Sequence, residues 1–485
     1  MLFNSYEFIL LFLPVTFVVF FTLGKLKCNK LATAWLVLAS LFFYGWWDYH
    51  YVPLLLMSIL FNYFVGKQIE NRANKKAILF GGIAADLLLL GYFKYADFFI
   101  STVNDLSGSS LGLLNIVLPL GISFFTFTQI AYLVDVYRGI AKNISLLYYF
   151  EFVTIFPHLI AGPIISYKEM LPQFVRAETF AINHKNIALG LAIFAIGLTK
   201  KVMIADNLAV WANIAFNNSE NLTFLVAWIG AISYSLQLYF DFSGYSEMAI
   251  GLGLLFNLSL PMNFNSPYQA TSIVDFWRRW HMTLGSWVKE YMYIPLGGNR
   301  HGELCKMRNL LVSMLLIGLW HGAGWTFVLW GGTHGLLLVI NHQWRRFNIK
   351  LPHLVNWVMT FSCVVVCWVL FRAESIHEAL NVLRCMTDIY HFGLPDKGFI
   401  WNNFGFLEQY GINFGQWIFS ESLPRVLVTL SALMVLAVCV PNPLGLRESQ
   451  ILFRHKVLPI LLGMLLGLSL LMCNVQNSEF LYFQF

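Results

Sequence analysis

Apolar runs of spanning length alternate with short basic loops along the first third of the chain. The first run, Phe8 to Leu23, is long enough to cross a hydrocarbon core of ~30 Å, and three lysines follow it. Because basic loops stay in the cytoplasm, this order predicts an outer N-terminus. The aromatic cluster Tyr44 to Tyr51 is typical of a membrane–water interface. The pattern predicts membrane helices at 8–23, 31–43, 53–65, 77–93 and 111–134, with an outer loop at 96–110.

Simple alternation fails in three regions, where the apolar runs contain glycine or proline. Leu146–Ile165 lies between two basic stretches, so a re-entrant or broken hairpin fits it better than a crossing. Met248–Leu260 is short and glycine-rich, and it predicts a partial insertion after a helix that ends at Asp241–Glu247. The third region surrounds Trp320–Trp325. Irregular backbone at membrane depth is tolerated only inside protein or beside a water-filled cavity, so all three are expected within the bundle.

The third region predicts a hairpin over residues 309–342 that holds one histidine inside the membrane. Basic residues stand at both ends of it, so both ends are expected on the cytoplasmic side. Its first arm, Asn309–Leu319, has about a dozen residues, or roughly 18 Å, which is too short to cross the core. His321 is therefore expected part-way through the membrane, where an ionisable side chain is costly unless it has a function.

Other segments are predicted to be helical without spanning. Asp275–Ile294 mixes tryptophans with arginines, which predicts an amphipathic helix in the cytoplasmic interface. An outer segment, 372–423, is expected to hold a second amphipathic helix, His377–Met386. Two last spans, 426–440 and 457–472, then place the C-terminus outside.

Composition supports the membrane assignment. Of the 485 residues, 58% are hydrophobic and 12% are charged, whereas soluble chains are about 25% charged. The net charge of +6 comes mainly from basic residues between apolar runs, so it indicates topology and no nucleic-acid partner. Seven cysteines without a C-x-x-C pair predict buried or reduced thiols. The chain is predicted to be one all-α polytopic membrane domain, 1–485.

The leading candidate for chemistry is His321. Common hydrolase, zinc-protease and P-loop signatures are absent from the sequence, and no metal site is predicted. In one interpretation the imidazole hydrogen-bonds a carbonyl freed at a helix break. In the other it is a general base that takes a proton from a hydroxyl. Gly322 and Gly324 would then let backbone N–H groups steady an oxyanion, and Trp320 and Trp325 would exclude water.

A second histidine, His281, follows two arginines and a tryptophan. It is either a histidine at the headgroup level or a site residue at the cytoplasmic mouth, where arginines suit the phosphates of a donor such as acetyl-CoA. Asp241, near Tyr245, also has two interpretations: a helix-end carboxylate paired with Arg278 or Arg279, or a wall of the donor tunnel.

Three polar positions carry simpler expectations. Lys200 and Lys201 interrupt an apolar run, so they are expected to meet carboxylates, lipid headgroups or water. His334 is expected to be a packing residue.

Several motifs together resemble the membrane-bound O-acyltransferase family. They are Phe276–Leu284 (FWRRWHMTL), Tyr293–Arg300 (YIPLGGNR) and Trp320–Gly322 (WHG). The likeness is to the bacterial branch that serves alginate O-acetylation and teichoic acid D-alanylation. Two positions depart from the pattern: Lys289-Glu290 stands where Arg-Asp is expected, and Ile165-Ser166 stands where an arginine is common. Further matching segments are 1–5, 123–127, 135–139, 161–164, 239–246 and 482–485.

The resemblance implies a fold and a site. The fold would be a helical bundle with broken hairpins around a tunnel, with the donor arriving from the cytoplasm and the acceptor from outside. The catalytic histidine of the Trp-His-Gly motif falls on His321, and the histidine of the Arg-Trp-His motif falls on His281. Donor and tunnel contacts are expected from the other candidates: Arg278, Trp277, Trp280, Asp241, Tyr245, Trp320, Gly322 and Trp325.

The same resemblance implies the reaction partners. The expected activity is O-acetyl transfer with acetyl-CoA as the donor substrate and no bound cofactor. The acceptor would be a hydroxyl of an alginate-like or other cell-surface glycan, or a periplasmic acetyltransferase of the SGNH type. The expected location is the lipid bilayer of a bacterial inner membrane, with both termini periplasmic. A transporter or lipid flippase is the rival class, because broken hairpins also build midplane substrate sites.

Overall fold

Helices build most of the chain. This computed structural model describes residues 1–395, 408, 413–414, 417–440, 442, 457–473 and 480–481. The helices before residue 220 are α1 (Leu13–Lys25), α2 (Asn29–Gly45), α3 (Val52–Asn71), α4 (Lys75–Leu90), α5 (Ala96–Ser107), α6 (Ile122–Tyr137), α7 (Leu146–Thr154), α8 (Phe156–Leu159), α9 (Tyr167–Val175), α10 (His184–Thr199) and α11 (Asp206–Asn217). The later ones are α12 (Phe224–Leu255), α13 (Ile273–Arg279), α14 (Met282–Val288), α15 (Gly302–His321), α16 (Trp325–Trp344), α17 (His353–Arg372), α18 (Ile376–Thr387), α19 (Leu423–Cys439) and α20 (Val457–Met472).

Short turns of other kinds connect these helices. Two-residue strands, Gly393–Leu394 and Asn413–Phe414, pair in parallel. Short 3₁₀ turns lie at Tyr49–Tyr51, Ala177–Phe180, Pro267–Gln269 and Arg345–Phe347. Wider π-helical turns lie at Glu7–Phe12, Gly91–Tyr95, Lys200–Ala205 and Lys289–Tyr293.

The predicted all-α polytopic membrane architecture is confirmed. Within the described residues, five helical stretches are long and apolar enough to cross a membrane. Three shorter apolar helices, α6, α19 and α20, accompany them. The five stretches are Glu7–Lys25, Tyr49–Asn71, Lys75–Ser107, His184–Asn217 and His353–Arg372.

Two predicted boundaries in the first third of the chain are wrong. The expected outer loop at 96–110 is mostly helix, because α4 continues through the π-helical turn into α5 and the whole stretch has 33 residues. The expected span at 111–134 is a helix only from Ile122 onward. The preceding Gly121 has a left-handed φ of 72° and Pro119 lies two residues before it, so a helix cannot run through this point.

The predicted helix end at Asp241–Glu247 is also wrong. Helix α12 runs unbroken for 32 residues, and the expected partial insertion at 248–260 is its last part up to Leu255. A carboxylate in the middle of a buried helix is tolerated when a cation meets it. Lys201 Nζ lies 2.7 Å from Asp241, and Lys200 Nζ lies 2.5 Å from Glu247. The predicted pairing of Asp241 with Arg278 or Arg279 is therefore wrong, whereas the expected carboxylate contact of the two lysines is confirmed.

Two predicted helical segments are confirmed and one is not. The broken segment at 146–165 contains α7, the four-residue α8 and non-helical backbone after it, and the outer amphipathic helix at 377–386 is α18. The single amphipathic helix expected over 275–294 is wrong, because α13 and α14 are separate helices of seven residues each. His281 between them has a φ of 44°, which a continuous helix does not allow.

The hairpin expected at 309–342 is longer than predicted. Both of its arms, α15 and α16, have 20 residues, which is about 30 Å at 1.5 Å per residue. The expected short first arm is therefore wrong, because the helix already begins at Gly302 among charged residues. The depth of His321 no longer follows from arm length. Parts of the outer segment 372–423, the basic loop around Arg447 and the terminal 482–485 lie outside the described residues.

Candidate active site

His321 is the last residue of α15, and the local sequence ends the helix there. Gly322 has extended backbone, with φ −156° and ψ 149°. A Cβ on Gly322 would lie 2.2 Å from the ring of Phe327, so only glycine fits under that ring. The phenyl ring thus fills the space beside Gly322, whose N–H was expected to steady an oxyanion. Gly324, also extended, starts α16.

The two arms of the hairpin pack backbone against backbone. A Cβ on Gly318 would lie 2.2 Å from the carbonyl oxygen of Phe327, and one on Gly331 would lie 2.3 Å from that of Met314. Small residues let helices approach this closely in a membrane. Because α16 lies so near α15, its Trp330 reaches the end of α15, where His321 stands.

Aromatic rings surround the His321 imidazole, which is 4% exposed. The ring centroids of Trp320, Trp330 and Phe371 lie 4.9, 5.1 and 5.3 Å from its own. Trp330 and Phe371, which come from α16 and α17, were missed by the sequence analysis, since nothing in a single sequence brings those positions together. An apolar wall of this kind favours a neutral imidazole, which is the form that accepts a proton.

His281 is fully buried, and its ring centroid lies 6.5 Å from that of His321. The interpretation of His281 as a headgroup-level residue is therefore wrong. Its Nδ1 lies 3.1 Å from Asn263 Oδ1, which also accepts from Thr283 Oγ1 at 2.8 Å. Because an amide oxygen only accepts, Nδ1 is the donor in this contact, and the lone pair of the neutral ring is on Nε2. Asn263 is a third site residue, after Trp330 and Phe371, that the sequence did not predict.

A cavity of about 250 Å³ reaches His321 from the aromatic cluster that was predicted at the outer interface. Its lining includes Trp47, the segment 117–124, Trp320 and His321. We call it the Trp47 cavity. Lys94 also lines it. Lys94 directly follows the predicted helix at 77–93, and a lysine at such a position is a signal of function that is visible in the sequence.

Two further cavities flank α14, and their charges differ. The Arg278 cavity, of about 430 Å³, is lined by three basic side chains, Arg278, Lys289 and His342, and by no acidic one among the described residues. The Asp135 cavity, of about 320 Å³, is lined by three acids and one lysine, namely Asp135, Glu169, Glu290 and Lys168. Met282, which follows His281, lines both.

The two positions that depart from the family pattern lie on these cavities. Lys289 lines the Arg278 cavity, and Glu290 lines the Asp135 cavity. Ile165-Ser166 also line the Asp135 cavity. The departures therefore change the walls of both cavities beside α14 and leave the surroundings of His321 as described above.

The structure brings some of the other candidate residues to the site. Trp277 donates from Nε1 to Nδ1 of His334 at 3.2 Å, and the His334 ring packs on Trp330 with centroids 5.1 Å apart. The expected packing role of His334 is confirmed. Trp280 is buried on the ring of Trp368, with centroids 4.9 Å apart. These rings form the wall behind His321.

Asp241, Tyr245 and Trp325 lie elsewhere. Tyr245 is stacked between Phe3 and Phe480, with ring centroids 4.8 and 4.3 Å away. Asp241 accepts from the Leu481 backbone N–H at 3.1 Å, besides its contact with Lys201. Trp325 is 50% exposed and donates to Thr102 Oγ1 at 3.3 Å. None of these three side chains lines the Trp47, Arg278 or Asp135 cavity.

The arrangement suits acid–base chemistry without a metal ligand set. Within the described ranges of the chain, no group of three or more His, Cys, Asp or Glu side chains is placed to hold a metal ion. What the site offers is a buried imidazole at the end of a cavity, a second imidazole held by an asparagine, and aromatic walls that keep water away.

Known proteins share this sequence over long stretches. Residues 114–375, which contain both site histidines, match the profile of the membrane-bound O-acyltransferase family. A peptidoglycan O-acetyltransferase of Helicobacter pylori is 42% identical over 100% of this chain and 98% of its own length. A probable alginate O-acetylase of Pseudomonas aeruginosa is 43% identical over 80% of this chain and 75% of its own. A teichoic acid D-alanyltransferase of Bacillus subtilis is 27% identical over 54% of this chain and 71% of its own.

Proposed function

The chain belongs to the membrane-bound O-acyltransferase family, and on that premise we propose that it transfers an acetyl group from acetyl-CoA to an exported glycan. The acetyl group passes either straight to a glycan hydroxyl or to a hydroxyl of a periplasmic SGNH-type partner. The observation that carries the proposal is that His321 is buried and yet lines the Trp47 cavity, with His281 at a centroid distance of 6.5 Å. Family membership makes the protein an enzyme and removes the main support for a transporter or flippase.

His321 is the general base of the proposed reaction. Its imidazole takes the proton of the acceptor hydroxyl while the hydroxyl oxygen attacks the carbonyl carbon of the thioester. A C–O bond forms, the C–S bond breaks, and the proton passes from His321 to the leaving sulfur, so that the products are an acetyl ester and CoA. His281, held through Nδ1 by Asn263, lies beside His321 with a ring-centroid distance of 6.5 Å and helps to orient the acceptor hydroxyl.

Charge selects between the two cavities beside α14 as the route of the donor. CoA carries several phosphates, and arginine and lysine bind phosphate through charge-assisted hydrogen bonds. Arg278 and Lys289 line the Arg278 cavity, whereas three carboxylates that would repel phosphate line the Asp135 cavity. We therefore assign the CoA moiety to the Arg278 cavity. Its lining ends at Ile317, one turn of α15 before His321.

The Trp47 cavity is the proposed route of the acceptor. Its lining contains Trp47, the segment 117–124 and His321, and it shares no described residue with the basic cavity that is proposed to receive the donor. The names of the relatives above describe transfer to peptidoglycan and to alginate, both of which are glycans outside the cytoplasm. A glycan hydroxyl or a serine of a partner that acts on glycan fits this route. The setting is then the bacterial inner membrane with both termini periplasmic.

The experiment compares His321→Asn with His353→Asn, a matched change of an exposed histidine at the start of α17. Each purified variant is given acetyl-CoA and a glycan oligosaccharide as acceptor, and the release of free thiol is measured; in cells, acetyl esters on surface glycan are measured. We expect His321→Asn to lose at least 100-fold in both, with membrane level and melting temperature unchanged, and His353→Asn to match the wild type. Retained transfer in His321→Asn contradicts the proposal.

A further inference from the structure

The end of α15 is capped by two side chains from a different helix. The last carbonyls of an α-helix have no partner within the helix and must find one elsewhere. Here Tyr95 Oη donates to the carbonyl of Leu319 at 2.8 Å. Lys94 Nζ donates to the carbonyls of Trp320 at 2.5 Å and His321 at 3.1 Å. Three successive carbonyls, ending at that of His321, are therefore held by two neighbouring residues.

The π-helical turn Gly91–Tyr95 explains how two neighbours reach the same target. In an α-helix, successive side chains point about 100° apart, since one turn takes 3.6 residues. The wide turn and the conformation of Tyr95, with φ −116° and ψ −7°, depart from that geometry just where Lys94 and Tyr95 meet α15. Such turns often occur at functional sites. Ser123 Oγ lies 3.3 Å from Lys94 Nζ and receives its remaining donor.

The amino group of Lys94 contacts the end of α15. Asp97, the nearest acid along the chain, accepts from the backbone N–H groups of Leu114 at 2.6 Å and Ile116 at 3.1 Å. The ammonium instead lies at the C-terminus of α15, where the helix dipole places partial negative charge. Capping this helix end requires a cation or a strong hydrogen-bond donor at the C-terminus of α15. Lys94 supplies it although Trp320 and His321, whose carbonyls accept, are 226 and 227 residues away in sequence.

Open space lies on both sides of this cap. Lys94 lines the Trp47 cavity together with His321. It also lines a second cavity of about 270 Å³, whose wall includes Gly322 and Ala323. The end of α15 thus has a void on either side and is not held there by packing alone. Without the ammonium, its terminal carbonyls would be free to turn toward either cavity.

We propose that Lys94 and Tyr95 are positioning residues that fix the last turn of α15, and with it the His321 imidazole, relative to the acceptor in the Trp47 cavity. The inference rests on the proposed role of His321 as the base. A displacement of about 1 Å at a reacting group costs on the order of 100-fold in rate. The two residues act through backbone carbonyls, so their effect falls on turnover and not on donor binding.

The test compares Lys94→Met, Lys94→Arg and Tyr95→Phe with Lys67→Met. Lys67 is a matched control because it is also a lysine of a spanning stretch, but its ammonium meets Glu70 at 3.2 Å, away from the site. We expect Lys94→Met to lower kcat about 100-fold with the KM for acetyl-CoA within threefold. The kcat of Lys94→Arg should be at least tenfold higher than that of Lys94→Met, because arginine keeps the positive charge and the hydrogen-bond donors. Tyr95→Phe should lower kcat about fivefold.

A second readout does not depend on activity. The rate at which diethyl pyrocarbonate modifies His321, followed by mass spectrometry, reports how firmly the end of α15 is held. We expect a rise of at least threefold in Lys94→Met and no change in Lys67→Met. The inference is overturned if Lys94→Met leaves either the modification rate of His321 or kcat unchanged. It is also overturned if Lys94→Met and Lys67→Met both lose kcat in proportion to a fall in melting temperature. If Lys94→Met behaves as the wild type while His321→Asn is inactive, this inference fails and the proposed function stands.

Discussion

Two pairs of helices in this protein are packed through glycine, and they use buried polar groups in opposite ways. In the α10–α12 pair, Gly190 faces Gly251 and Gly197 faces Gly244, and a Cβ on any of the four would lie 2.5–2.7 Å from the carbonyl oxygen of its partner. The α15–α16 hairpin is equally close at Gly318 and Gly331. Close backbone approach is thus common to both and does not distinguish the site.

The charges distinguish them. Along α10–α12, Lys201 meets Asp206 and Asp241 at 2.7 Å each, and Lys200 meets Glu247 at 2.5 Å. At the tip of the hairpin, the His321 ring has aromatic rings and another imidazole as neighbours, a cavity reaches it, and Lys94 contacts the backbone carbonyl of His321 and not a buried carboxylate. A buried charge beside its countercharge indicates a structural role, whereas a buried titratable ring at the end of a cavity indicates chemistry.

The largest effect is expected in the region of paired charges. Lys201→Met leaves the carboxylates of Asp206 and Asp241 buried without their shared cation, and removal of one partner of a buried ion pair costs about 3–5 kcal/mol. We expect the protein to be almost absent from membranes and any remainder to melt at a lower temperature. Immunoblots of membranes and melting of detergent-purified protein measure this.

The control for that prediction removes the acids as well. Lys201→Met combined with Asp206→Asn and Asp241→Asn leaves no uncompensated charge, so it should recover a substantial part of the protein level. If Lys201→Met is made at the normal level and only its turnover is lost, the two regions do not differ as described here.

The second effect is expected at His281 and should spare the fold. His281→Asn keeps a residue that tolerates the positive φ of 44° at this position but removes the imidazole. We expect thiol release from acetyl-CoA to fall about 100-fold, with the protein level close to that of the wild type. If the membrane level of His281→Asn falls as far as that of Lys201→Met, His281 has a structural role like that of the buried ion pairs.

The sequence predicted the class of fold well, because hydropathy and the basic loops depend on composition along the chain. The predicted end of α12 was wrong, because the acidic residues in Asp241–Glu247 are typical of a helix end exposed to water. In the structure they are buried and paired with Lys200 and Lys201, which lie about forty residues earlier in the chain. The sequence also joined α13 and α14 into one helix. The left-handed residue that separates them is a histidine, which carries no turn signal such as glycine or proline.

The site was predictable only in part, for a related reason. His321 and His281 stand in recognisable motifs, and the sequence therefore identified both. Lys94, Asn263 and Trp330 belong to no such motif, and they contact the histidines from parts of the chain that are distant from them or on the other arm of the hairpin. Trp325 was chosen because it is close to His321 in sequence, but α16 turns it outward. Sequence distance proved a poor guide to spatial distance within a tight hairpin.

A smaller effect is expected from the side chains that receive the donor. Arg278→Ala removes one exposed cation of the Arg278 cavity, so we expect the KM for acetyl-CoA to rise about tenfold with kcat nearly unchanged. Lys168→Ala is the matched control, because Lys168 is the one basic residue lining the Asp135 cavity. Steady-state kinetics on both variants decide between the routes: a raised KM in Lys168→Ala alone would move the donor to the Asp135 cavity.

The smallest effect is expected at Trp325, and it tests where the aromatic wall ends. Its ring lies against Phe98, with centroids 5.5 Å apart, and half of the residue is exposed, so it fastens the tip of the hairpin to α5. The rings that shield His321 are those of Trp320, Trp330 and Phe371. Trp325→Ala should change acetyl transfer by less than about twofold and leave hydrolysis of acetyl-CoA without acceptor at the wild-type rate. Faster hydrolysis in this variant, measured as thiol release in the absence of glycan, would mean that Trp325 excludes water and that the wall extends beyond the three buried rings.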